Sequence, residues 1–259
     1  YPCSSVARND FLIYFVNFVS FVVHSIRMTA RAFFITGTDT GVGKTHIACA
    51  IVRELREAGH RVGAFKPACS GASLDEDGRT HWDDIDRLRQ ALGREAAVDQ
   101  LCPQRFLAPL APPVAAQQEG RRVDWESIKL GFDAWRKDCE ILVIEGAGGL
   151  LCPLTAESAI ADFAGLCSFP LVIVARLGLG TINHTLLTIE VARKRGLRIA
   201  GLVFNEPTPT EEFLVASNPV EIAARCDVPI LAICRHETDG VGRVNESLRL
   251  DWWSLARGQ

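Results

Sequence analysis

Residues 32–45 read AFFITGTDTGVGKT and carry the clearest structural signal in the chain. An apolar run leads into a glycine-rich segment that fits the pattern G-x-x-x-x-G-K-[ST], with Lys44 and Thr45 at its end. The pattern predicts a buried strand, then a loop whose backbone N–H groups face a polyphosphate, then a helix N-terminus. The alternative is a glycine-rich turn without function, and the strand before it and the helix after it argue against that. The stretch therefore predicts a nucleotide-binding loop.

Short apolar runs alternate with amphipathic stretches from here onward. Continuous apolar runs predict strands that are buried on both faces. They lie at 32–37, 61–67, 141–149, 170–176, 199–206 and 229–234. Helices are predicted at 44–58, 84–92, 123–138, 181–195 and 211–225. This order predicts a single doubly wound α/β domain with a mainly parallel sheet, P-loop NTPase-like, with ligands at the carboxyl ends of the strands.

Three segments bear on the domain boundaries. Residues 11–23, FLIYFVNFVSFVV, form an apolar stretch that is shorter than a membrane-spanning helix. The only methionine, Met28, lies just before the first predicted strand, so we interpret residues 1–27 as a non-native or upstream extension and 28–259 as the domain. A membrane anchor is the alternative interpretation of the apolar stretch. The proline-rich residues 102–113 predict a long functional loop.

Composition excludes several classes of protein. With 48% hydrophobic and 23% charged residues among 259, the chain is neither disordered nor fibrous. A formal net charge of -3 argues against a dedicated nucleic-acid binder. The nine cysteines never form a C-x-x-C pair, so neither a disulfide framework nor a zinc site is indicated. We expect a cytoplasmic protein without a membrane or nucleic-acid partner.

The phosphate loop by itself does not identify a reaction. A P-loop switch ATPase of the partition or cell-division type would carry a second lysine in the loop, in a form such as K-G-G-x-G-K-T. Thr40 and the other loop residues before Lys44 include no lysine. This weakens the switch hypothesis without removing it.

Three later stretches strengthen a resemblance that begins at residues 37–45. They are FKPACSG at 65–71, EGAGG at 145–149, and GTINH at 180–184, the last followed by Leu186-Leu187-Thr188. Together, and in this order between about Phe33 and Ile233, the four motifs resemble the dethiobiotin synthetase family. The resemblance implies a homodimeric ligase that uses ATP, Mg²⁺ and carbon dioxide to close a cyclic urea on 7,8-diaminononanoate.

The implied reaction brings two anions together. Carbon dioxide adds to one amine, the resulting carbamate takes the γ-phosphate of ATP, and the second amine then expels phosphate to give dethiobiotin. Such a site needs cations and N–H donors, and the resemblance makes Lys44 and Lys66 the catalytic residues. On its own, Lys66 would be interpreted as a solvated lysine at a strand end. Its match to the family pattern favours the catalytic role.

The resemblance also implies a magnesium site. Mg²⁺ prefers oxygen ligands and keeps several waters, so a hydroxyl and one or two carboxylates suffice. Thr45, Asp84 and Glu145 are the predicted ligands, and Asp83 is a one-residue alternative to Asp84. The competing interpretation of both aspartates is simple capping of the helix that follows.

Further binding residues follow from the same resemblance. Asn205 is expected to read the nucleotide base, and Asn183 to bind the substrate carboxylate across the dimer interface. The alternative for Asn183 is a helix cap or an interior polar residue. Predicted ATP-binding residues are Gly41, Val42, Gly43, Lys44, Thr45, His46, Asp84, Glu145, Gly146, Ala147, Gly148 and Asn205. Predicted substrate-binding residues are Thr40, Ser70, Gly148 and Asn183.

The chain departs from the family pattern at two places. Gly41 stands where some members carry a glutamate, and Cys234-Arg235-His236 follows the last predicted strand where a proline is common. Residues 237–259, which include two tryptophans, are expected to form a closing helix on the dimer surface. Besides the switch ATPase, two rivals are a cobyrinate-type amidoligase, which would ordinarily carry a glutamine-hydrolysing domain, and an inactive paralogue that binds ATP without turnover.

Overall fold

A computed structural model describes residues 31–236 and 250–256. The strands are β1 (Arg31–Gly37), β2 (Val62–Phe65), β3 (Ala68–Ser70), β4 (Ser73–Leu74), β5 (Thr80–His81), β6 (Gln104–Phe106), β7 (Ile141–Gly149), β8 (Leu171–Arg176), β9 (Ile199–Asn205) and β10 (Ile230–Cys234). The helices are α1 (Lys44–Glu57), α2 (Asp83–Leu92), α3 (Val98–Leu101), α4 (Pro112–Gln118), α5 (Trp125–Asp138), α6 (Ile160–Cys167), α7 (Thr181–Lys194), α8 (Glu212–Ala223) and α9 (Trp252–Leu255). The extension predicted at 1–27 lies outside the described residues.

Six parallel strands form the central sheet, in the order β10-β9-β8-β1-β7-β2. Residues along β1, β7 and β8 are buried without alternation, as they must be when both faces of a sheet are covered. The prediction of a doubly wound α/β fold with a mainly parallel sheet is confirmed. All six predicted strands and all five predicted helices are present, with ends that differ by no more than two residues.

The register of the central strands brings their carboxyl ends to one edge. Ile35 of β1 pairs with Glu145 of β7, and Phe65 at the end of β2 pairs with Ile144. Lys66 follows β2 directly, so it lies at the same level as Glu145. On the other side, Asn205 ends β9 opposite Cys234 of β10. Chemically active residues from distant parts of the sequence therefore meet at this edge.

The prediction of a long loop over 102–113 is wrong in part. Residues 104–106 form β6, which pairs with β3 in a separate two-stranded sheet, and Pro112 begins α4. Proline fits the first turn of a helix because its missing N–H has no partner there anyway. Helices α3 and α6 were also not predicted, since each is short and lies between stronger signals.

Aromatic rings fill the core beneath the carboxyl edge. Phe163 of α6 lies 6.0 Å from Phe34, 6.3 Å from Phe65 and 5.9 Å from Phe132, measured between ring centroids. Such edge-on and tilted contacts suit the charge distribution of the rings. Because Phe34 lies in β1 and Phe65 in β2, this cluster supports the strands that carry the phosphate loop and Lys66.

Residues 250–256 pack far from that edge, beside the start of β1. Trp252 is buried edge-on to Phe33 at 5.6 Å, and its indole N–H donates to Glu54 Oε2 at 2.8 Å. Trp253 stacks on the His60 ring at 4.1 Å, with the Arg31 guanidinium 4.3 Å from its ring centre. The short helix α9 therefore closes this side of the domain against α1.

Candidate active site

A cavity of about 810 Å³ opens at the carboxyl edge of the central sheet. Its walls come from the phosphate loop, the residues after β2, the first turns of α1 and α2, the end of β7, and the ends of β9 and β10. Most of the predicted site residues line this cavity: Thr40, Gly41, Gly43, Lys44, Thr45, His46, Lys66, Ser70, Asp84, Glu145, Ala147, Gly148 and Asn205. Three predicted residues, Val42, Gly146 and Asn183, do not line it.

The phosphate loop joins β1 to α1 through two glycines in the left-handed region. Gly41 has φ 71° and Gly43 has φ 94°. A Cβ on Gly43 would lie 2.0 Å from Asn205 Nδ2, which donates to the carbonyl oxygen of Val42 at 2.9 Å. Asn205 thus ties the loop to the end of β9, and only glycine fits at position 43.

The ammonium of Lys44 lies within this loop, where Nζ donates to the carbonyl oxygen of Asp39 at 3.1 Å. Its side chain is buried. Burial lowers the pKa of Lys44, with Glu145 opposing and Lys66 adding to the effect. A buried cation at the start of a helix attracts an anionic ligand strongly, because little water screens it.

Lys66 forms a buried ion pair at the floor of the cavity. Its Nζ lies 2.5 Å from Glu145 Oε1 and 2.8 Å from Asp84 Oδ2. Burial alone would lower the pKa of Lys66, but the two carboxylates outweigh it and raise that pKa above its ordinary value. The ammonium is therefore charged at any physiological pH.

Thr45 joins the same two carboxylates. Its hydroxyl lies 2.7 Å from Glu145 Oε1 and 2.8 Å from Asp84 Oδ1. The second Glu145 oxygen, Oε2, is buried without a hydrogen-bond partner among the described residues. Burial raises the pKa of Glu145 against the effect of Lys66, whereas the pKa of Asp84 is lowered because Lys66 and Thr45 outweigh its burial. These oxygens can accept a hard cation.

Asp84, and not Asp83, reaches this cluster. Asp83 instead lies 3.4 Å from His81 Nδ1 on the exposed side of α2. Neither aspartate caps the helix, since its N-cap is Trp82 and no side chain makes a capping hydrogen bond there. The capping alternative is therefore wrong for both.

The remaining predicted residues fall at different depths. Val42 is buried beneath the loop, and Gly146 packs behind the cavity, where a Cβ would lie 2.9 Å from Ile160 Cγ2. Ser70 lines the cavity and donates to the carbonyl oxygen of Leu110 at 2.6 Å. Asn183 lies exposed in the first turn of α7, outside the cavity of a single chain. It neither caps that helix nor lies inside the protein.

Several cavity residues have no counterpart in the prediction. Those with charged, polar or thiol side chains are Cys69, Arg87, Cys152, Glu206, Arg235 and His236. Arg87 lies one turn after Asp84, so helical spacing alone could have found it. Glu206 and Arg235 directly follow β9 and β10, so their positions at the ends of two predicted strands could have identified them. Residues 109–112 also line the cavity, within the stretch that was predicted to be a functional loop.

The described residues include neither a cluster of metal-binding side chains nor a helix that could span a membrane. Within 31–236 and 250–256, no three His, Cys, Asp or Glu side chains cluster in a way that could hold a metal. A cation at this site would thus depend on two carboxylates and a hydroxyl. No helix in that part of the chain has the length and apolar character needed to cross a membrane.

Known proteins are similar to this chain over most of its length. A family model described as an AAA domain matches residues 31–241, which include every cavity residue. An ATP-dependent dethiobiotin synthetase BioD from Anaeromyxobacter dehalogenans (strain 2CP-C) is 45% identical over 209 residues, covering 81% of this chain and 92% of the relative. Another, from Rhodopirellula baltica, is 38% identical over 216 residues, covering 80% and 84%. Among solved structures, the septum site-determining protein MinD from Pyrococcus horikoshii is 18% identical, covers 80% of this chain and 82% of its own, and has a TM-score of 0.47.

Proposed function

This chain belongs to the dethiobiotin synthetase family, and from that premise we propose how its cavity carries out the reaction. The protein is an ATP-dependent ligase of biotin biosynthesis that forms C–N bonds. It joins carbon dioxide to 7,8-diaminononanoate and releases dethiobiotin, ADP and phosphate. The assignment of single residues to steps is the proposal.

Three steps make up the reaction. One amine attacks carbon dioxide, which forms the first C–N bond and, after loss of a proton, a carbamate. A carbamate oxygen attacks the γ-phosphorus and ADP leaves. The second amine then attacks the carbamate carbon, the C–O bond to phosphate breaks, and the ring closes. The middle step places a carbamate against a triphosphate, so it needs the most positive charge.

The Lys66 ammonium is the observation that carries the proposal. It is buried at the cavity floor between Glu145 and Asp84, and it stays charged because these carboxylates raise its pKa. A fixed cation in a site of low dielectric stabilises developing negative charge far better than one in water. We assign Lys66 to the carbamate and the transferred phosphoryl group.

The phosphate loop supplies the second cation. Lys44 and the backbone N–H groups of Gly41 to Thr45 would bind the β- and γ-phosphates, as the loop geometry and the N-terminus of α1 favour. His46, Glu145, Ala147 and Gly148 complete the proposed wall of the nucleotide site. With ATP held at one side, the diamine enters from the other, next to Ser70, Thr40 and Gly148.

The donor set at the floor fits Mg²⁺. Thr45, Asp84 and Glu145 converge, and the partnerless Glu145 Oε2 is a buried oxygen that a cation would satisfy. When bound there, Mg²⁺ would offset the negative charge of the phosphate oxygens. Thr45 and the two carboxylates would hold it, while Lys66 keeps its contacts with the same carboxylates.

We also propose that two chains form the working unit. Asn183 is assigned to the substrate carboxylate, yet it lies outside the cavity of its own chain. It is flanked by exposed apolar side chains, Leu179 with 87% and Leu187 with 56% of their surface accessible. A homodimer through this surface would cover both leucines and bring Asn183 to the partner's substrate.

We further propose a cytoplasmic location, which the free thiols of all eight described cysteines support. The two rival activities, a switch ATPase and a cobyrinate-type amidoligase, are not favoured by the curated relatives, which are dethiobiotin synthetases.

The test is phosphate release by the full chain with ATP, Mg²⁺ and bicarbonate, with and without 7,8-diaminononanoate. We expect release that depends on the diamine and falls about 10²–10³-fold in Lys66→Ala, since the transition state then lacks a buried charge. Lys137→Ala, an exposed lysine of α5, is the matched control. Phosphate release that ignores the diamine would contradict the proposal and favour a switch ATPase.

A further inference from the structure

An arginine beside the phosphate loop has no part in the chemistry proposed so far. Arg87 lies in α2 and lines the cavity together with Thr45 and His46 of α1. Within residues 31–236 and 250–256, its side chain makes no ion pair and no hydrogen bond. Asp83, one turn earlier on the same helix, lies 3.4 Å from His81 Nδ1 instead. Arg87 therefore brings an unbalanced positive charge to the cavity.

The charges on the cavity floor cancel before any ligand binds. Lys44 and Lys66 supply two positive charges, and Asp84 and Glu145 supply two negative ones. ATP brings about four negative charges and the carbamate adds one, whereas Mg²⁺ offsets only two. Phosphoryl transfer depends on the neutralisation of this charge. A further cation close to the phosphates would therefore favour both binding and reaction.

The other arginine of the cavity is already paired. Among the described residues that line the cavity, Arg87 and Arg235 are the arginines. Arg235 Nε lies 2.7 Å from Glu206 Oε2, and a terminal nitrogen lies 2.8 Å from Glu212 Oε2. These two carboxylates balance the charge of Arg235. Arg87 is thus the arginine whose charge can serve a bound anion.

Two helices that begin at the cavity place Arg87 beside the phosphate loop. The hydroxyl of Thr45, in the first turn of α1, donates to Asp84 Oδ1 in the first turn of α2 at 2.8 Å. Arg87 lies one turn after Asp84, and Cys49 lies one turn after Thr45. Burial raises the pKa of Cys49 to about 12, Glu145 adds to the rise, and Arg87 opposes it. The guanidinium therefore lies near the second turn of α1.

The order of residues around the loop indicates which phosphates Arg87 faces. In a loop of this kind the lysine, here Lys44, reaches the β- and γ-phosphates, and the backbone N–H groups hold the α- and β-phosphates. Lys66 is assigned to the γ-phosphoryl group and lies 2.8 Å from Asp84 Oδ2. Arg87 lines the cavity on the side of His46, away from the ion pairs of Lys66. This side corresponds to the α- and β-phosphates.

We propose that Arg87 binds the α- and β-phosphate oxygens of ATP and stabilises the negative charge that develops on ADP as it leaves. This inference rests on the proposed nucleotide site. A guanidinium presents its N–H donors in a planar fork that fits two phosphate oxygens at once. In the transfer step the bond from the γ-phosphorus to the bridging oxygen breaks, and its electron pair stays on ADP. Arg87 donates hydrogen bonds to that anion and forms no covalent bond.

The experiment measures Kd values for ATP and ADP in the full chain with Mg²⁺ and without the diamine. Arg87→Ala is expected to weaken both nucleotides about five- to twentyfold, less than the loss of a buried charge would, because the side chain is exposed. Arg87→Lys keeps the charge but not the fork, so its Kd values should lie between those of the wild type and Arg87→Ala. In diamine-dependent phosphate release at saturating ATP, kcat of Arg87→Ala should fall about three- to tenfold.

Arg89→Ala is the matched control. It removes the same charge from the same helix, but Arg89 lies outside the cavity and pairs with Asp86 at 2.9 Å. Its Kd values for ATP and ADP should stay within about twofold of the wild type. Arg87→Ala is expected to fold, since alanine favours a helix and no described residue loses an ion pair or hydrogen bond. Urea unfolding of both variants checks this.

Three results would overturn the inference. One is unchanged binding of both nucleotides in Arg87→Ala. Another is weaker binding of ATP with unchanged binding of ADP, since Arg87 would then act on the γ-phosphate. The third is an equal loss in Arg89→Ala, which long-range charge would explain. If nucleotide binding depends on Arg87 but phosphate release ignores the diamine, the proposed function alone is refuted.

Discussion

At the level of single residues, Lys44 illustrates a conflict between function and stability. Burial lowers its pKa, so the folded protein binds fewer protons at this group than the unfolded chain as pH approaches the ordinary value of 10.5. The buried charge of Lys44 therefore destabilises the fold fully at pH values below its pKa in the folded state. This destabilisation is lost as pH rises from that pKa to the ordinary value of 10.5. We expect Lys44→Met to raise the free energy of unfolding near neutral pH while abolishing activity.

The gain in the free energy of unfolding of Lys44→Met should be smaller when urea unfolding is repeated at about pH 10, where part of the wild-type Lys44 is uncharged. Lys137→Met is the control, because the side chain is exposed and its charge is solvated. A gain that is equal at both pH values would show that packing, and not the buried charge, causes the difference.

Gly43 gives a second prediction for a single residue. Gly43→Ala places a methyl group 2.0 Å from Asn205 Nδ2 at a φ of 94°, so we expect about 1–3 kcal/mol lower stability and loss of measurable ATP binding. Gly41→Ala is the matched comparison, since its φ is also positive but no atom lies within 4 Å of the added Cβ. If both variants bind ATP equally well, close contact with Asn205 is not what requires glycine.

Some of these residues could be predicted from the sequence and others could not. Lys66 and Glu145 were expected at one edge because the carboxyl ends of parallel strands share it. The bond from Asn205 to Val42 spans 163 residues and depends on the strand order, which the apolar runs do not specify. The ion pairs of Arg235 with Glu206 and Glu212 could not be predicted from the sequence for the same reason. The roles assigned to the site residues remain predictions.

At the level of elements, helix α9 supports β1 through the contact of Trp252 with Phe33. Trp252→Ala removes a buried ring from contact with Phe33 and should lower the free energy of unfolding by about 3–5 kcal/mol. Trp252→Phe keeps most of the packing but leaves Glu54 without its donor, and about 1 kcal/mol is expected. Urea denaturation measures both, and similar losses in the two variants would contradict this division.

The elements themselves were predictable to different extents. The six central strands are continuous apolar runs bounded by glycine, proline or polar residues, so their positions can be predicted from the sequence. Strands β3 and β6 have three residues each, and within the described part of the chain they pair only with one another, across an insertion that includes α2 and α3. So short a run has no readable period, and Pro112 was taken for a loop residue although it begins a helix.

At the level of the whole molecule, the proposed dimer predicts linked effects on assembly and substrate binding. Leu179→Glu should halve the mass measured by light scattering and raise KM for the diamine about tenfold or more, while the ATP Kd stays within about twofold. Leu130→Glu, on a leucine of α5 that is 70% exposed against 87% for Leu179, is the control. A monomeric wild-type chain with full activity would contradict the dimer.

The packing of Trp253 between His60 and Arg31 has a spectroscopic consequence. Contact between an excited indole and an imidazole ring allows electron transfer to that ring, so we expect weaker emission from Trp253 while it is packed against His60. Separation of residues 250–256 from β1 would restore that emission. The chain has four other tryptophans, so the difference in tryptophan emission between the wild-type chain and Trp253→Phe offers an optical probe of whether residues 250–256 are packed against β1, independent of catalysis.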